Sequence, residues 1–551
     1  MQLLHLIKKE STTSLQTLLV LTVISGVAQG LLLSIINNAA ATAAFADLNF
    51  RNLLLFVIAI TIFILAKRVA LERSFVLAEE VIGKLRVRIA DKLRRSNLAV
   101  VERIGKANVE TRLSQDTLTL SQAAGEIANA AQSAVMIVVC VAYLAVLSKI
   151  AFMLTAAMIM GGVAIYLRNQ RLINRELQQA TEKETEFFVS LGHLMDGFKE
   201  LKINRAKSDD FFENHFKRIC ADAERVKIRT GLEYVRNFIF SQTFYYILIA
   251  VLVFLLPALN EGYADVIVKT TAVILFIIGP LTSLVSSIPI YARANVALGN
   301  LTKLEEFLDS PIAAAERMVA PARIDFTGFK EIVIEDATFS YLDEMTGRPA
   351  FSVGPFRLSF AAGETVFIVG GNGSGKSTLM KLLTGLYAPH SGALLVDGVR
   401  LQASHYAGYR ELFSIVFTDF HLFDRLYGQT NIDEKRLAQL LTRMELEEKT
   451  AYTNGHFTHL SLSTGQKKRL ALIVAFLEDR PVIALDEFAA DQDPEFRRFF
   501  YETLLPELKA AGKTVIAITH DDRYFHCANR VIKMEYGQVQ PTAPASNTTD
   551  L

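Results

Sequence analysis

Six stretches of this 551-residue chain carry no charged side chain and are mostly apolar: Leu15–Ile36, Asn52–Ala66, Ile127–Ser148, Ile150–Leu167, Phe238–Leu259 and Thr270–Ala292. A helix rises about 1.5 Å per residue, so about twenty apolar residues cross the ~30 Å hydrocarbon core of a bilayer. Most of the runs reach that length. The second is shorter, and gains length by extending to Leu48 or past Lys67 and Arg68, whose long stems let the charge reach water. With 51% hydrophobic residues, the chain is too apolar for a single soluble domain. Six transmembrane helices are therefore predicted, with membrane lipid as their solvent. Lys8 and Lys9 precede an uncharged stretch from Ser11 to Ala46, longer than a signal-peptide core, so the first span is expected to be retained. A net charge of +1 gives no general attraction to nucleic acid. Cys140, Cys220 and Cys527 match no metal spacing and read as free thiols in a reducing compartment.

Basic residues set the orientation. They gather in Lys67–Arg112 and Arg168–Arg236 and are nearly absent from Asn37–Phe50, Lys149 and Asn260–Asp265, which predicts both termini in the cytoplasm. The two basic segments are long and mostly lack helix breakers, so spans two to five should continue as helices into the cytoplasm. Each pair should turn near Ile104–Asp116 and near Asn204–Phe212. Phe240, Phe244, Tyr245, Tyr246, Phe254 and Phe276 are candidates to line a path, although such aromatics equally serve packing or interface belts. Pro280 and Pro289 can bend the sixth span, and Lys269 can snorkel at its outer end. The expected layout is a membrane domain over 1–310, a linker over 311–323 with Pro311 and Pro321 at its margins, an α/β domain over 324–540 and a disordered tail over 541–551.

In the second half, short β-rich runs alternate with helices. Gly370–Thr378, reading Gly-Gly-Asn-Gly-Ser-Gly-Lys-Ser-Thr, lies between the apolar run Thr365–Val369 and the helical stretch Leu379–Leu386. Gly370, Gly373 and Gly375 let backbone N–H groups around Asn372, Ser374 and Thr378 face phosphate oxygens. Lys376 adds charge at the outer phosphates, and the Ser377 hydroxyl suits magnesium. Val482–Leu485 forms a buried strand that delivers Asp486 and Glu487 to the carboxyl end of a sheet, where Asp486 can hold magnesium through water and Glu487 can polarise an attacking water. ATP and Mg2+ are the implied ligands, on a P-loop ATPase domain fused to the helical membrane domain.

Leu462-Ser463-Thr464-Gly465-Gln466, followed by Lys467-Lys468-Arg469 and an apolar helix, stands shortly before that strand and resembles the signature sequence of ABC-type ATPases. The resemblance implies that Tyr341 is the platform on which adenine stacks, that His520 contacts the γ-phosphate, and that Asp493 faces the partner subunit. It also implies that Ser463, Gly465 and Gln466 bind ATP held by a second chain. There are departures. Thr418 stands where the family carries a loop glutamine, leaving Asp419 to supply the missing oxygen ligand, and Phe488-Ala489-Ala490-Asp491-Gln492-Asp493 replaces a Ser-Ala-Leu-Asp ending.

Membrane domain first and ATPase second, with long cytoplasmic helices, resembles ABC exporters. Asp196–Lys202, Phe417–Asp419, Leu462–Lys468 and Asp486–Pro494 are similar to the bacterial cyclic-peptide and peptide-siderophore exporters. This implies a homodimer in the bacterial inner membrane that moves a cyclic or modified peptide, or a siderophore precursor, to the periplasm. A lipid or drug exporter and an ATP-gated membrane regulator share the same motifs.

Overall fold

Charge-free length dictates helix wherever the backbone lacks water to bond with. A computed structural model describes residues 15–42, 50–255, 266–309, 325–342, 348–429 and 431–540; the expected linker at 311–323, the loop Asn260–Asp265 and the tail lie outside them. The first half folds into α1 (Leu15–Thr42), α2 (Phe50–Arg94), α3 (Leu98–Ile104), α4 (Thr117–Leu147), α5 (Lys149–Asp196), α6 (Phe198–Ile203), α7 (Lys217–Ala250) and α8 (Ile267–Leu308). Among the described residues five helices are long and apolar enough to cross a membrane. The fourth run, Ile150–Leu167, begins α5, where the shorter apolar stretch is Lys149–Gly162.

The chain divides into two compact units, one of residues up to Ala90 with Ala107–Leu304, the other of Asp91–Lys106 with the residues from Glu305 on. In the first unit, α2 changes its packing along its length. Its buried positions are Asn52, Ala59, Ala66, Ala70 and Ser74, then Leu77, Val81, Ile82, Leu85 and Ile89. In lipid, burying a large apolar group gains little, so small residues let helices approach; past Lys67 and Arg68 water returns, and large apolar side chains are worth burying. Close approach also joins α1 to α4: a Cβ on Gly26 or Gly30 would lie 2.7 or 2.4 Å from a methyl of Val135 or Val139. The outer surface stays apolar at Leu53, Leu54, Ile58 and Ile62, as lipid contact requires. Of the candidate path aromatics, Tyr245 is buried, whereas Phe240, Tyr246 and Phe254 are exposed.

Each turnaround starts earlier than the sequence predicts and ends at the first residues of the expected segment, at Gly105 and at Asn204. The first break runs from Arg95 to Gly105, where Asn97 caps α3 by accepting from the Ala99 N–H and Gly105 takes φ 77°; Lys106–Asp116 already belongs to the ascending helix. The second lies at Gly197 and at Asn204, whose side chain caps the stretch that follows.

In the second unit, β1 (Glu331–Leu342), β2 (Pro349–Ala361), β4 (Ser391–Val396) and β5 (Val399–Arg400) form an antiparallel sheet in the order β2-β1-β4-β5. A second sheet is built from β3 (Thr365–Gly370), β6 (Phe413–Val416), β7 (Val482–Asp486), β8 (Thr514–Ile518), β9 (Arg530–Glu535) and β10 (Gln538–Val539). Its order is β10-β9-β3-β8-β7-β6, parallel except for β10. The central strands β3, β7 and β8 read as near-continuous hydrophobic runs because both faces are covered, one by the antiparallel sheet and the helix Lys376–Leu383, the other by the helices Thr464–Glu478 and Pro494–Phe499. The helices that matter below are α9 (Lys376–Leu383), α10 (Glu434–Arg443), α11 (Thr464–Glu478) and α12 (Pro494–Phe499).

Candidate nucleotide site

Strand order explains why distant residues converge. β8 lies between β3 and β7, with Ile518 opposite both Ile368 and Asp486. The chain leaving β3 is the phosphate loop, the chain leaving β7 is Asp486-Glu487, and the chain leaving β8 is Thr519-His520. All three therefore emerge side by side at the carboxyl edge of the sheet.

The loop is glycine for steric reasons. Gly370 has φ 150° and a Cβ there would sit 2.2 Å from the Met534 carbonyl oxygen; Gly375 has φ 96° and would strike Val353 at 2.8 Å. α9 then starts at Lys376 with no side-chain cap, leaving its first N–H groups for an anion. The Lys376 ammonium donates to the carbonyls of Gly370 (2.9 Å) and Gly371 (3.0 Å), spanning the loop. Ser374 Oγ is buried without a partner.

Asp486 is buried and its Oδ1 is unpartnered. Burial pushes its carboxyl above the usual range, with Glu487 adding to the rise, while hydrogen bonds from Ser377 and Thr418 and the Lys376 charge oppose it. A buried carboxylate with a vacant oxygen, beside a Ser hydroxyl, fits a divalent cation. Thr418 also donates to the Asp486 carbonyl at 3.3 Å, so the residue replacing the family glutamine does sit at this edge; Asp419, next to it, is exposed.

Glu487 takes a left-handed backbone, φ 49° and ψ 40°. Its N–H donates to the Ile518 carbonyl at 3.1 Å and its Oε1 lies 3.1 Å from His520 Nε2. The proposed base and the proposed γ-phosphate contact are thus held as a pair. Tyr341, near the end of β1, hydrogen-bonds Thr378 (3.3 Å) and Tyr387 (3.2 Å), and Tyr387 donates to Glu102 at 2.5 Å. Glu102 lies in the first turnaround helix and also accepts from Lys381 at 2.9 Å. Burial first, then Glu102 and Tyr341, drives the Tyr387 hydroxyl far above its ordinary value, so it remains a donor.

The signature residues occupy a different place. Ser463 caps α11 in a reciprocal box with Gln466, and Ser463 and Thr464 are exposed. Gly465 admits the Asp491 carbonyl, which a Cβ would meet at 2.7 Å. Among the described residues no hydrogen bond or ion pair joins Ser463–Gln466 to Gly370–Thr378. Asp493 accepts the Phe496 N–H and pairs with Arg469, which together hold its carboxyl below the usual range. Sequence reasoning missed Tyr387 and Glu102, and also Lys468 and Arg469 on the signature helix. The latter two are buried, and the only signal was their place on the same helix face as Leu472 and Ile473.

A family profile described as ABC transporter matches residues 353–490. The ATP-binding protein SyrD of Pseudomonas syringae pv. syringae is 35% identical over 470 residues, covering 83% of this chain and 82% of that protein. An ATP-dependent lipid A-core flippase of Paraburkholderia xenovorans is 28% identical over 68% of this chain and 62% of its own. A structure titled as a bacterial Atm1-family ABC exporter with ATP bound superposes with a TM-score of 0.75 at 17% identity, covering 95% of this chain and 93% of that one.

Proposed function

Because this chain belongs to the ABC exporters, ATP-hydrolysing proteins that carry membrane helices and ATPase in one polypeptide, we propose that it works as a homodimer exporting a cyclic or modified peptide, or a peptide-siderophore precursor, across the bacterial inner membrane. One observation carries the reading: the phosphate loop, Asp486, Glu487 and His520 are gathered at one sheet edge, while the capped, exposed start of α11 makes no bond to them. A helix N-terminus is an anion site awaiting an anion. A second copy supplies that anion, since its phosphate loop needs the same complement, and a twofold pair satisfies both sites at once.

The chain's own residues then divide the work. Tyr341 offers a ring to adenine. The N–H groups of Gly373–Thr378 and the Lys376 ammonium take the phosphates. Ser377 and Asp486, with Thr418 and Asp419 as further oxygen donors, would hold Mg2+, which would supply neutralising charge for the phosphates. Glu487 orients the attacking water and His520 faces the γ-phosphate, while Ser463, Gly465 and Gln466 of the second copy close the pocket. Closure is passed to the membrane helices by the turnarounds. Glu102 is bonded to Tyr387 and Lys381 within the ATPase unit. The second turnaround leaves Phe198 and Ile203 58% and 87% exposed, an apolar tip suited to a partner copy.

The cargo reading rests on the subgroup-like residues Asp196–Lys202 and Asp486–Pro494, and on a relative in SyrD along most of the chain. Lipid export is the second reading, favoured by the flippase match. Uptake into inside-out vesicles separates them: cyclic peptides or siderophore precursors should accumulate with ATP and fail with Glu487→Gln. Accumulation of labelled lipid alone would replace the peptide reading, and ATP turnover without any uptake would replace transport with regulation.

A further inference from the structure

The geometry points to Lys468, together with Asp491, as a positioning residue that fixes Glu487 and fastens it to the signature helix; the inference rests on the role of Glu487 given above. The Lys468 side chain is 1% exposed. Burying an ammonium is unfavourable unless its charge is paired and hydrogen-bonded. Here one partner is the Asp491 carboxylate at 2.7 Å and the other is the Glu487 carbonyl at 2.6 Å.

That second bond falls on a constrained backbone. Left-handed φ in a residue with a side chain persists only where neighbours impose it. The Glu487 N–H is tied to the Ile518 carbonyl and its C=O to Lys468, so both ends of its peptide frame are held. The carboxylate is thereby aimed at His520. Without Lys468 the carbonyl loses its anchor, and the residue can relax toward a right-handed or extended backbone that swings the carboxylate away.

Asp491 belongs to the stretch that departs from the family ending, and its charge is what allows a lysine to be buried at 468. The same stretch is fastened to the first turns of α11 at further points. Gln492 Nε2 donates to the Gly465 carbonyl at 3.1 Å, and Arg469 donates to Gln492 at 2.9 Å and pairs with Asp493. Glu487 of a protomer's own site and the signature end it lends to the neighbouring site therefore form one rigid piece, with Lys468 as the cross-member. Movement of the signature end onto a nucleotide is transmitted to Glu487 through it.

Steady-state ATPase of the full-length protein in lipid nanodiscs tests this, using wild type, Lys468→Met, Asp491→Asn and Glu487→Gln. Lys468→Met should lower kcat by about 10- to 100-fold, the scale of a misplacement near 1 Å. The KM for ATP should stay within about twofold, because no phosphate contact is touched. Asp491→Asn, on the partly exposed side of the pair, should lower kcat by about threefold to tenfold with the same constancy of KM, and decides the matter if Lys468→Met does not fold. The double variant Lys468→Met with Asp491→Asn should fall no further than Lys468→Met alone, since both act through one bond. Wild-type kcat in Asp491→Asn and Lys468→Met, or losses appearing as raised KM, would overturn the proposal. Full activity in Glu487→Gln would instead overturn the assignment of Glu487; loss in Glu487→Gln with none in the other two falls on Lys468 alone.

Discussion

Gly465→Ala isolates how closely the signature helix must lie against the chain that follows Glu487. Gly465 has an ordinary helical backbone, so a methyl group is excluded by contact and not by φ: the Cβ would stand 2.7 Å from the Asp491 carbonyl oxygen, whose backbone cannot rotate away as a side chain would. Relief requires a separation of about half an ångström, and forcing an extra carbon into a packed site costs about 1–3 kcal/mol. The strain falls where α11 must meet phosphate, so if it is carried into closure, ATP turnover drops by about 5- to 150-fold. The assay is ATPase at saturating ATP with the full-length protein, beside ATP binding in the Glu487→Gln background. Binding to the protomer's own phosphate loop should survive, because Gly465 makes no bond to it. Gly328→Ala, whose Cβ would meet nothing within 4 Å, is the control and should match wild type. Wild-type turnover by Gly465→Ala would refute the tight approach; equal losses in Gly328→Ala would refute the steric reasoning.

Gly370→Ala should abolish ATP binding itself, since its Cβ would lie 2.2 Å from the Met534 carbonyl oxygen at φ 150°; equilibrium binding of a fluorescent ATP analogue reads this. Glu102→Ala should leave basal ATPase within about twofold while removing most of its stimulation by cargo, because it strips the Tyr387 and Lys381 contacts without touching a phosphate ligand. Asp493 has a depressed folded pKa, so its bonds stabilise the fold above the ordinary value of 3.8 and are lost as pH falls through the lowered one. Thermal unfolding should accordingly show Asp493→Asn less stable than wild type at neutral pH, with the gap closing only on strong acidification. A gap that widened with acid would reverse the sign of that interaction.

The membrane helices were legible because the signal is local: a charge-free run needs no partner to be read, and over their described residues all six runs lie within helices, save for Ser148 at the end of the third. Turn positions were less legible. Ile104–Asp116 looked like a break between two basic helices, yet the stop starts upstream at the Asn97 cap and ends at Gly105, while Arg112 reaches the Asn300 carbonyl and is held in the ascending helix. The phosphate loop, Asp486, Glu487 and His520 could be placed because each ends a strand, and parallel strands of one sheet bring their ends together. Lys468 could not. Within Lys-Lys-Arg it reads as one more solvated charge, and its burial depends on Asp491, a residue brought to it only by the fold. The relay Tyr341–Tyr387–Glu102 was hidden for the same reason, since Glu102 belongs to a helical turn far away in sequence from the domain it touches.

The central claim is that each nucleotide pocket is completed by a second copy. Asn372 and Ser463 are both exposed, so Asn372→Cys and Ser463→Cys can be combined in a Glu487→Gln chain whose Cys140, Cys220 and Cys527 are replaced by Ser, and crosslinked with a short thiol reagent. The account predicts a covalent dimer that forms with ATP, and needs both cysteines. A crosslink closed within a single chain, or a monomer unchanged by ATP, would contradict it.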